Sequence, residues 1–375
     1  MLQRLYVHNF RCLENFELNL KDMPSVLLIG SNGSGKSTIR DALKILQAIS
    51  RSVNRVKSLV DVKDFARGRS DVPMRFEIEV LLGGRLFKYV LALELPERFN
   101  ELRVAEEELL VDGNPVYSRQ KAQVTLHYLD QTQTQTQTQF GVDWHLVALP
   151  IIQERPGSDS LHIFKTWLSS SIILAPIPAL MTGISVSETL EPEQNGSNFS
   201  EWLAGLLKFY TAAYTDLAKY LGEVMADFRD IVNKPIGEDS MKTIVRFEER
   251  NANLSVYFND LSDGEKCFFL CAVVLAANKF YGPLFCFWDE PDNYLSLSEV
   301  GHFVMALRRS FAGGSQILIT THNPEAIRRF SDENTFLLVR RSHLEPTVGR
   351  LLDELDVKGD LINALIRGDL DDGPK

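Results

Sequence analysis

The chain has 375 residues, 45% of them hydrophobic and 24% charged, which suits two domains or one elaborated domain with a full core and excludes a disordered tail. Lys and Arg number 40 against 50 Asp and Glu, a formal net charge of −10, so the chain cannot coat nucleic acid by net charge and any such contact needs a local patch. The longest apolar run, Cys267 to Ala277, falls short of the roughly 18 residues of a membrane span, and Met1-Leu2-Gln3-Arg4 opens without a signal-peptide core. A cytoplasmic protein without membrane contact is expected.

In chain order, residues 2–8 and 14–20 alternate as two strands of a hairpin around Asn9-Phe10-Arg11-Cys12, and Ser25 to Ile29 is a short buried strand between Pro24 and Gly30. Ile39, Ala42, Leu43, Leu46 and Ile49 keep a helical period over 37–49. Residues 74–129 turn to period two with breaks at Gly83-Gly84 and Asp112-Gly113, which predicts a lobe of antiparallel hairpins. Gln131 to Gln139 is a Gln-Thr repeat, expected as a mobile hairpin tip or loop without chemistry.

A helix is expected over 160–173, an irregular Pro, Gly, Ser and Asn-rich stretch over 176–198, and a helical pattern over 199–232 whose aromatic stripe reads as packing. Strands at 243–248 and 254–258 then lead into a helix (265–279), a strand (284–288), a helix (298–311), a strand (316–320) and a strand near 335–339. That alternation marks an α/β half. Asp369 to Asp372 reads as a solvated tail. The four cysteines, Cys12, Cys267, Cys271 and Cys286, form no C-x-x-C pair and read as small core residues in a reducing compartment.

Four segments carry chemistry. Gly30-Ser31-Asn32-Gly33-Ser34-Gly35-Lys36-Ser37, followed by Thr38, matches G-x-x-x-x-G-K-[ST] between a strand and a helix. Its glycines let backbone N–H groups wrap phosphates, the helix start adds a positive dipole end, Lys36 reaches the outer phosphates and the Ser37 hydroxyl binds Mg²⁺. The apolar strand Leu284 to Trp288 ends in Asp289-Glu290, where Asp289 is expected to hold Mg²⁺ through water and Glu290 to polarise the attacking water. Ser262-Asp263-Gly264-Glu265 opens a helix as a capping box, and its Ser and Gly can also donate to a phosphate. Thr320-Thr321-His322-Asn323-Pro324 leaves a buried strand and offers a histidine at γ-phosphate distance.

In this order the four segments resemble the ABC-type ATPase heads, and more narrowly the branch of SMC, RecF and overcoming-lysogenization-defect (OLD) proteins. Val7-His-Asn-Phe10-Arg11 ahead of Gly30-Ser-Asn-Gly looks like that branch's N-terminal hairpin. Ser262-Asp-Gly-Glu, Asp289-Glu-Pro-Asp-Asn293 and Thr321-His-Asn-Pro324 look most like its stand-alone AAA-family (OLD-like) ATPases without a Toprim nuclease domain. The likeness covers about the first 50 and the last 120 residues.

The resemblance implies an α/β P-loop fold, an ABC-type head with an antiparallel β lobe and a helical insert. Residues 1–160 would form an N-terminal ATPase lobe, 161–238 the helical insert and 239–375 a C-terminal ATPase lobe. It further implies a Mg²⁺-dependent ATPase with Lys36, Glu290 and His322 as catalytic residues and an ATP-sandwich homodimer. Ser262 and Gly264 would face the partner's γ-phosphate, Asp292 would lie in the D-loop across the interface, His322 would be the switch histidine and Arg11 would lie near the phosphates. Asp263 replaces the usual first glycine of the signature. Gln153 is the candidate Q-loop glutamine beside the metal, with Ser37 and Asp289.

Residues 38–261 are longer than a transporter subunit's lobe and too broken by Pro and Gly for a long coiled coil, and 323–375 are too few for a Toprim domain. A switch ATPase of a bacterial defence system, anti-phage or toxin-linked, with its nuclease or toxin effector on another chain is expected, and a RecF-like DNA repair clamp is the alternative. A nucleotide-dependent scaffold or a transporter-type ATPase subunit is the third reading. The suggestive DNA patch is Arg51, Arg55, Lys57, Lys63, Arg67 and Arg69, against Asp61 and Asp64.

Overall fold

The computed structural model describes residues 1–129, 135–154, 159–237, 239–330 and 332–354. Residues 131–134 of the Gln-Thr repeat and the acidic end at Asp369 to Asp372 lie outside them. The described residues form two compact units, the first from residues 1–23, 29–171 and 336–354, the second from 24–28 and 172–335.

In the first unit β1 (Leu2–His8) and β2 (Phe16–Asn19) make the expected hairpin. After β3 (Ser25–Ile29), which the chain divides between the units, comes the helix α1 (Lys36–Ser50). β4 (Met74–Leu82), β5 (Arg85–Glu94), β6 (Arg103–Val111), β7 (Asn114–Gln120), β8 (Gln123–Leu129) and β9 (Gln135–Gly141) extend the hairpin into one antiparallel sheet, β2-β1-β4-β5-β6-β7-β8-β9. Its inward row is apolar: Val7 faces Phe76, Leu5 faces Ile78 and Tyr89 faces Leu109, all fully buried. The helix α2 (Ser160–Ser170) lays Phe164 against Phe87 and Tyr89, and the Gln47 amide of α1 donates to the Ser171 carbonyl.

The Gln-Thr repeat, expected as a hairpin tip or loop, runs into a strand. Its second half is strand, because pairing with β8 satisfies the backbone and lets Gln137 meet His127 and Gln139 accept from Gln123.

One carboxylate is buried in this sheet. Glu107 accepts from the Tyr89 and Tyr117 hydroxyls and from the N–H groups of Ala148 and Leu149, all at 2.7–3.1 Å, with the Arg119 guanidinium 3.5 Å away. Arg119 donates to the carbonyls of Lys121, Asp143 and Leu146. Two fully buried charges are tolerable because each is surrounded by hydrogen-bonding partners.

The second unit contains β10 (Ile172–Leu174), β11 (Ile184–Ser185), β12 (Phe228–Ile236), β13 (Ser240–Glu249), β14 (Ala252–Tyr257), β15 (Phe285–Asp289) and β16 (Gln316–Thr320). β10, β15, β16 and residues 25–28 of β3 form a parallel sheet in that order, and such buried strands read as unbroken apolar runs. β11, β13 and β12 make a smaller antiparallel sheet, with β14 also on β13. The helices are α3 (Phe199–Phe209), α4 (Ala213–Val224), α5 (Asp263–Tyr281) and α6 (Leu297–Ser310). α5 is apolar around much of its circumference and is correspondingly enclosed, with Phe269 edge-on to Phe258 and Tyr281 receiving the Trp202 indole N–H at 2.9 Å.

The helical pattern expected to 232 stops at Val224. Ile231, Val232 and Pro235 suit a strand better than a helix interior, and pairing with β13 decides the matter. The chain then re-enters the first unit through β17 (Thr335–Val339), which pairs antiparallel with β18 (Val348–Leu351), a strand not anticipated. All four cysteines are free and buried, and burial pushes the Cys267 thiol up to about 12. Among the described residues no helix is long and apolar enough to cross a membrane.

Candidate functional site

The glycine-rich loop of the first unit runs from the end of β3 into α1. Gly30 and Gly35 hold left-handed φ values of 153° and 104°, and both sit where a side chain has no room. A Cβ on Gly30 would run into the Leu338 carbonyl, and one on Gly35 would lie 2.8 Å from Thr347 Oγ1 and 3.0 Å from Cys12 Sγ. Lys36 is 6% exposed and folds back so that Nζ donates to the carbonyls of Gly30 (2.7 Å) and Ser31 (3.2 Å). Ser31, Asn32, Gly33 and Ser37 are exposed, whereas Ser34 is buried and Thr38 half-buried. Gly35, the N-cap of α1, supplies no side-chain cap, so the first turn keeps its orphan N–H donors for an outside acceptor.

Arg11 sits in the tight turn between β1 and β2 with a φ of 51°. Its guanidinium is engaged by Asp41 at 2.5 Å and Asp64 at 2.9 Å and lies over the Phe10 ring. The expected phosphate neighbour is therefore already paired with two carboxylates. Gln153 is an exposed loop residue.

In the second unit the register pairs Asp289 with Thr320 and Thr320 with Leu28, so three parallel strands end on one edge, where open α/β sheets bind ligands. Thr320 ties the two carboxylate positions together. Its hydroxyl donates to Asp289 Oδ1 at 2.5 Å and accepts from the Glu290 N–H at 2.9 Å. Glu290 has a φ of 48°, a strained conformation for a residue with a side chain and a common feature of working sites. Its Oε1 is 3.3 Å from His322 Nε2, and its Oε2 accepts from the Asn293 amide at 2.6 Å.

Asp292, expected in the D-loop across the interface, is 4% exposed. Its Oδ2 accepts from the Thr321 hydroxyl at 2.8 Å, and that hydroxyl accepts from the Asn323 N–H at 2.9 Å. Burial, with the nearby Glu290 charge as a smaller cause, pushes the Asp292 carboxyl above its ordinary value. Asp292 thus fastens the turn that carries His322.

Ser262 is the N-cap of α5: its hydroxyl accepts from the Glu265 N–H, while the Glu265 carboxylate accepts the Ser262 N–H at 2.7 Å. Ser262 is exposed, and Gly264 lies close to the Tyr294 carbonyl, 3.0 Å from where a Cβ would sit. The basic stretch at 51–69 is partly neutralised. Arg67 and Arg69 share Glu14 at 2.7 and 2.9 Å, Arg55 lies 3.7 Å from Glu101, and Arg51 donates to the Ser169 carbonyl, while Lys57 and Lys63 are exposed.

Sequence reasoning missed Thr320 and Asn293 as partners of the carboxylates, although both stand inside the motifs, and it missed Cys12 and Thr347 beside the loop. Thr347 carried no signal, because 313 residues separate it from Ser34.

A family model described as "AAA domain, putative AbiEii toxin, Type IV TA system" matches residues 25–328. The chain belongs to this AAA family. The fold of this AAA protein is also that of SMC heads. An SMC head solved bound to the C-winged helix domain of ScpA is 13% identical, with a TM-score of 0.58 over 94% of this chain and 99% of that one. A Pyrococcus furiosus Smc head with an extended coiled coil, bound to the C-terminal domain of ScpA, is 13% identical, with a TM-score of 0.52 over 94% and 97%. No curated protein matches the sequence. The fold is therefore a mixed α/β fold of the SMC-head kind, and the AAA family supports a nucleotide-binding ATPase.

Proposed function

We propose that the chain is a Mg²⁺-dependent ATPase that dimerises around ATP and acts as a switch for a separate effector protein in a defence or toxin system. The observation that carries the reading is the Glu290 carboxylate, held in a strained backbone beside His322 and one residue after Asp289, at the ligand-binding edge of the parallel sheet.

The residues present fit the nucleotide and the metal. Gly33 is open to solvent with nothing near its missing side chain, the first turn of α1 offers backbone donors, and the Lys36 ammonium rests on loop carbonyls that a phosphate oxygen can outcompete. Ser37 and Asp289 would hold Mg²⁺, an ion that keeps waters and phosphate oxygens as its other ligands. The metal supplies charge neutralisation on the transferring phosphoryl group. Glu290 accepts a proton from the attacking water, His322 hydrogen-bonds developing charge, and Lys36 steadies the outer phosphates. Ser262 and Gly264 would close on the nucleotide of a second copy.

The family's description names a toxin of a toxin–antitoxin system, which favours the defence reading, and the two SMC heads were solved with a partner protein's domain, which favours an effector on another chain. Lys57 and Lys63 keep a DNA clamp as the second reading. Light scattering of Glu290→Gln with and without ATP and Mg²⁺ tests the proposal: a doubled mass only with ATP is expected, and an unchanged mass refutes the dimer. Adding duplex DNA at two salt concentrations then separates the readings, since steeply salt-dependent binding favours the clamp and its absence favours the protein effector.

A further inference from the structure

Thr347 belongs to the short run that connects β17 with β18 and is 2% exposed. Two hydrogen bonds hold it, one to the glycine-rich loop and one to the turn between β1 and β2. Its hydroxyl donates to the Ser34 carbonyl at 2.9 Å, and its N–H donates to the Cys12 carbonyl at 2.9 Å. The Cys12 thiol in turn lies 3.4 Å from Thr38 Oγ1, so one residue spans the turn between β1 and β2 and the start of α1. The fit leaves no slack, since Gly35 lacks a side chain where Thr347 Oγ1 and Cys12 Sγ would meet it.

The Ser34–Gly35 peptide is planar and trans, so its C=O and N–H point in opposite directions. Drawing the Ser34 carbonyl toward Thr347 therefore points the Gly35 N–H the opposite way within that peptide plane, away from Thr347. Gly35 is the N-cap of α1, and its N–H is one of the backbone donors that a phosphate takes at a helix start. We infer that Thr347 is a positioning residue for nucleotide phosphate binding, setting the orientation of the Gly35 amide through a hydrogen bond to the back of the loop. The inference rests on the nucleotide reading given above and adds to it a residue outside every motif of the sequence.

The neighbouring contacts make this run a lever. Arg67 donates to the Leu344 carbonyl at 3.0 Å and Arg340 donates to the carbonyls of His343 and Glu345, so the connection is braced at its tip as well as at Thr347. Loss of the hydroxyl alone therefore frees the Ser34–Gly35 peptide without unpinning the connection.

The test is a fluorescent ATP analogue titrated with Mg²⁺ into the full chain and into Thr347→Val, Thr347→Ser and Thr347→Cys, with a melting curve for each in the absence of nucleotide. Valine is expected to weaken binding roughly tenfold, to raise KM more than it lowers kcat, and to leave the nucleotide-free melting temperature within a few degrees. Serine, which keeps the donor, should restore affinity to within twofold. If valine unfolds the chain, the small Ser and Cys pair decides: the weak thiol donor should bind worse than serine. Equal affinities across the folded variants overturn the inference and leave nucleotide binding standing. Failure of the unaltered chain to bind the analogue overturns the nucleotide reading, and this inference with it.

Discussion

Asp292 and Thr321 are joined by a 2.8 Å hydrogen bond in the interior of the second unit, one residue before His322 and two after Glu290. Because burial raises the Asp292 carboxyl above its ordinary value, its ionised form is the one the fold disfavours. Its contribution to stability is full at pH below its unfolded value and is lost as pH rises through the folded one. Asp292→Asn keeps an acceptor for Thr321 without the charge, so it should melt at least as high as the unaltered chain at pH 7 and lose that advantage toward pH 4. Asp292→Ala should cost about 1–3 kcal/mol at pH 7 by stranding the Thr321 hydroxyl. Melting curves across that pH range check both.

Glu290 and Lys36 should separate catalysis from binding. Glu290→Gln keeps the acceptor for the Asn293 amide but not the base, and hydrolysis should fall about 10²-fold or more with the affinity for ATP retained. Lys36→Ala removes the cation that rests on the Gly30 carbonyl and should abolish measurable ATP binding at micromolar concentrations. Phosphate release assays and nucleotide titration are the measurements. Equal loss of binding in both variants would argue against the division of labour.

Ser262 caps α5, and one substitution can separate that cap from the proposed contact with a second copy's phosphate. Aspartate is as good an N-cap as serine, so Ser262→Asp should leave the melting temperature nearly unchanged, whereas Ser262→Ala should cost about 1 kcal/mol. If the exposed Ser262 also meets a partner's phosphate, the added negative charge of aspartate should abolish ATP-dependent doubling of mass in the Glu290→Gln background. Normal assembly with aspartate in place would remove Ser262 from the interface.

Glu107 fixes the first unit from within. Glu107→Ala leaves the Arg119 guanidinium buried without its carboxylate and frees the Ala148 and Leu149 N–H groups, and should cost about 3–5 kcal/mol in urea unfolding. Glu107→Gln should cost less, since the amide still accepts from Tyr89 or Tyr117.

The sequence by itself determined the local parts. The glycine-rich loop between β3 and α1, the capping box at Ser262, the hairpins from β4 to β8 and the apolar strand ending in Asp289-Glu290 all follow from short-range rules of backbone freedom, periodicity and capping. Residues 228–236 needed the partner strand β13 to become strand, since a helical stripe just before them masked a short β-branched run. Tertiary structure alone decided where charge goes. Arg11 is claimed by Asp41 and Asp64, Arg67 and Arg69 by Glu14, and Asp292 by Thr321, pairings across tens of residues that no spacing encodes. Thr347 is the extreme case: a buried hydroxyl must find an acceptor, and the one it finds is the carbonyl of Ser34 at the other end of the chain.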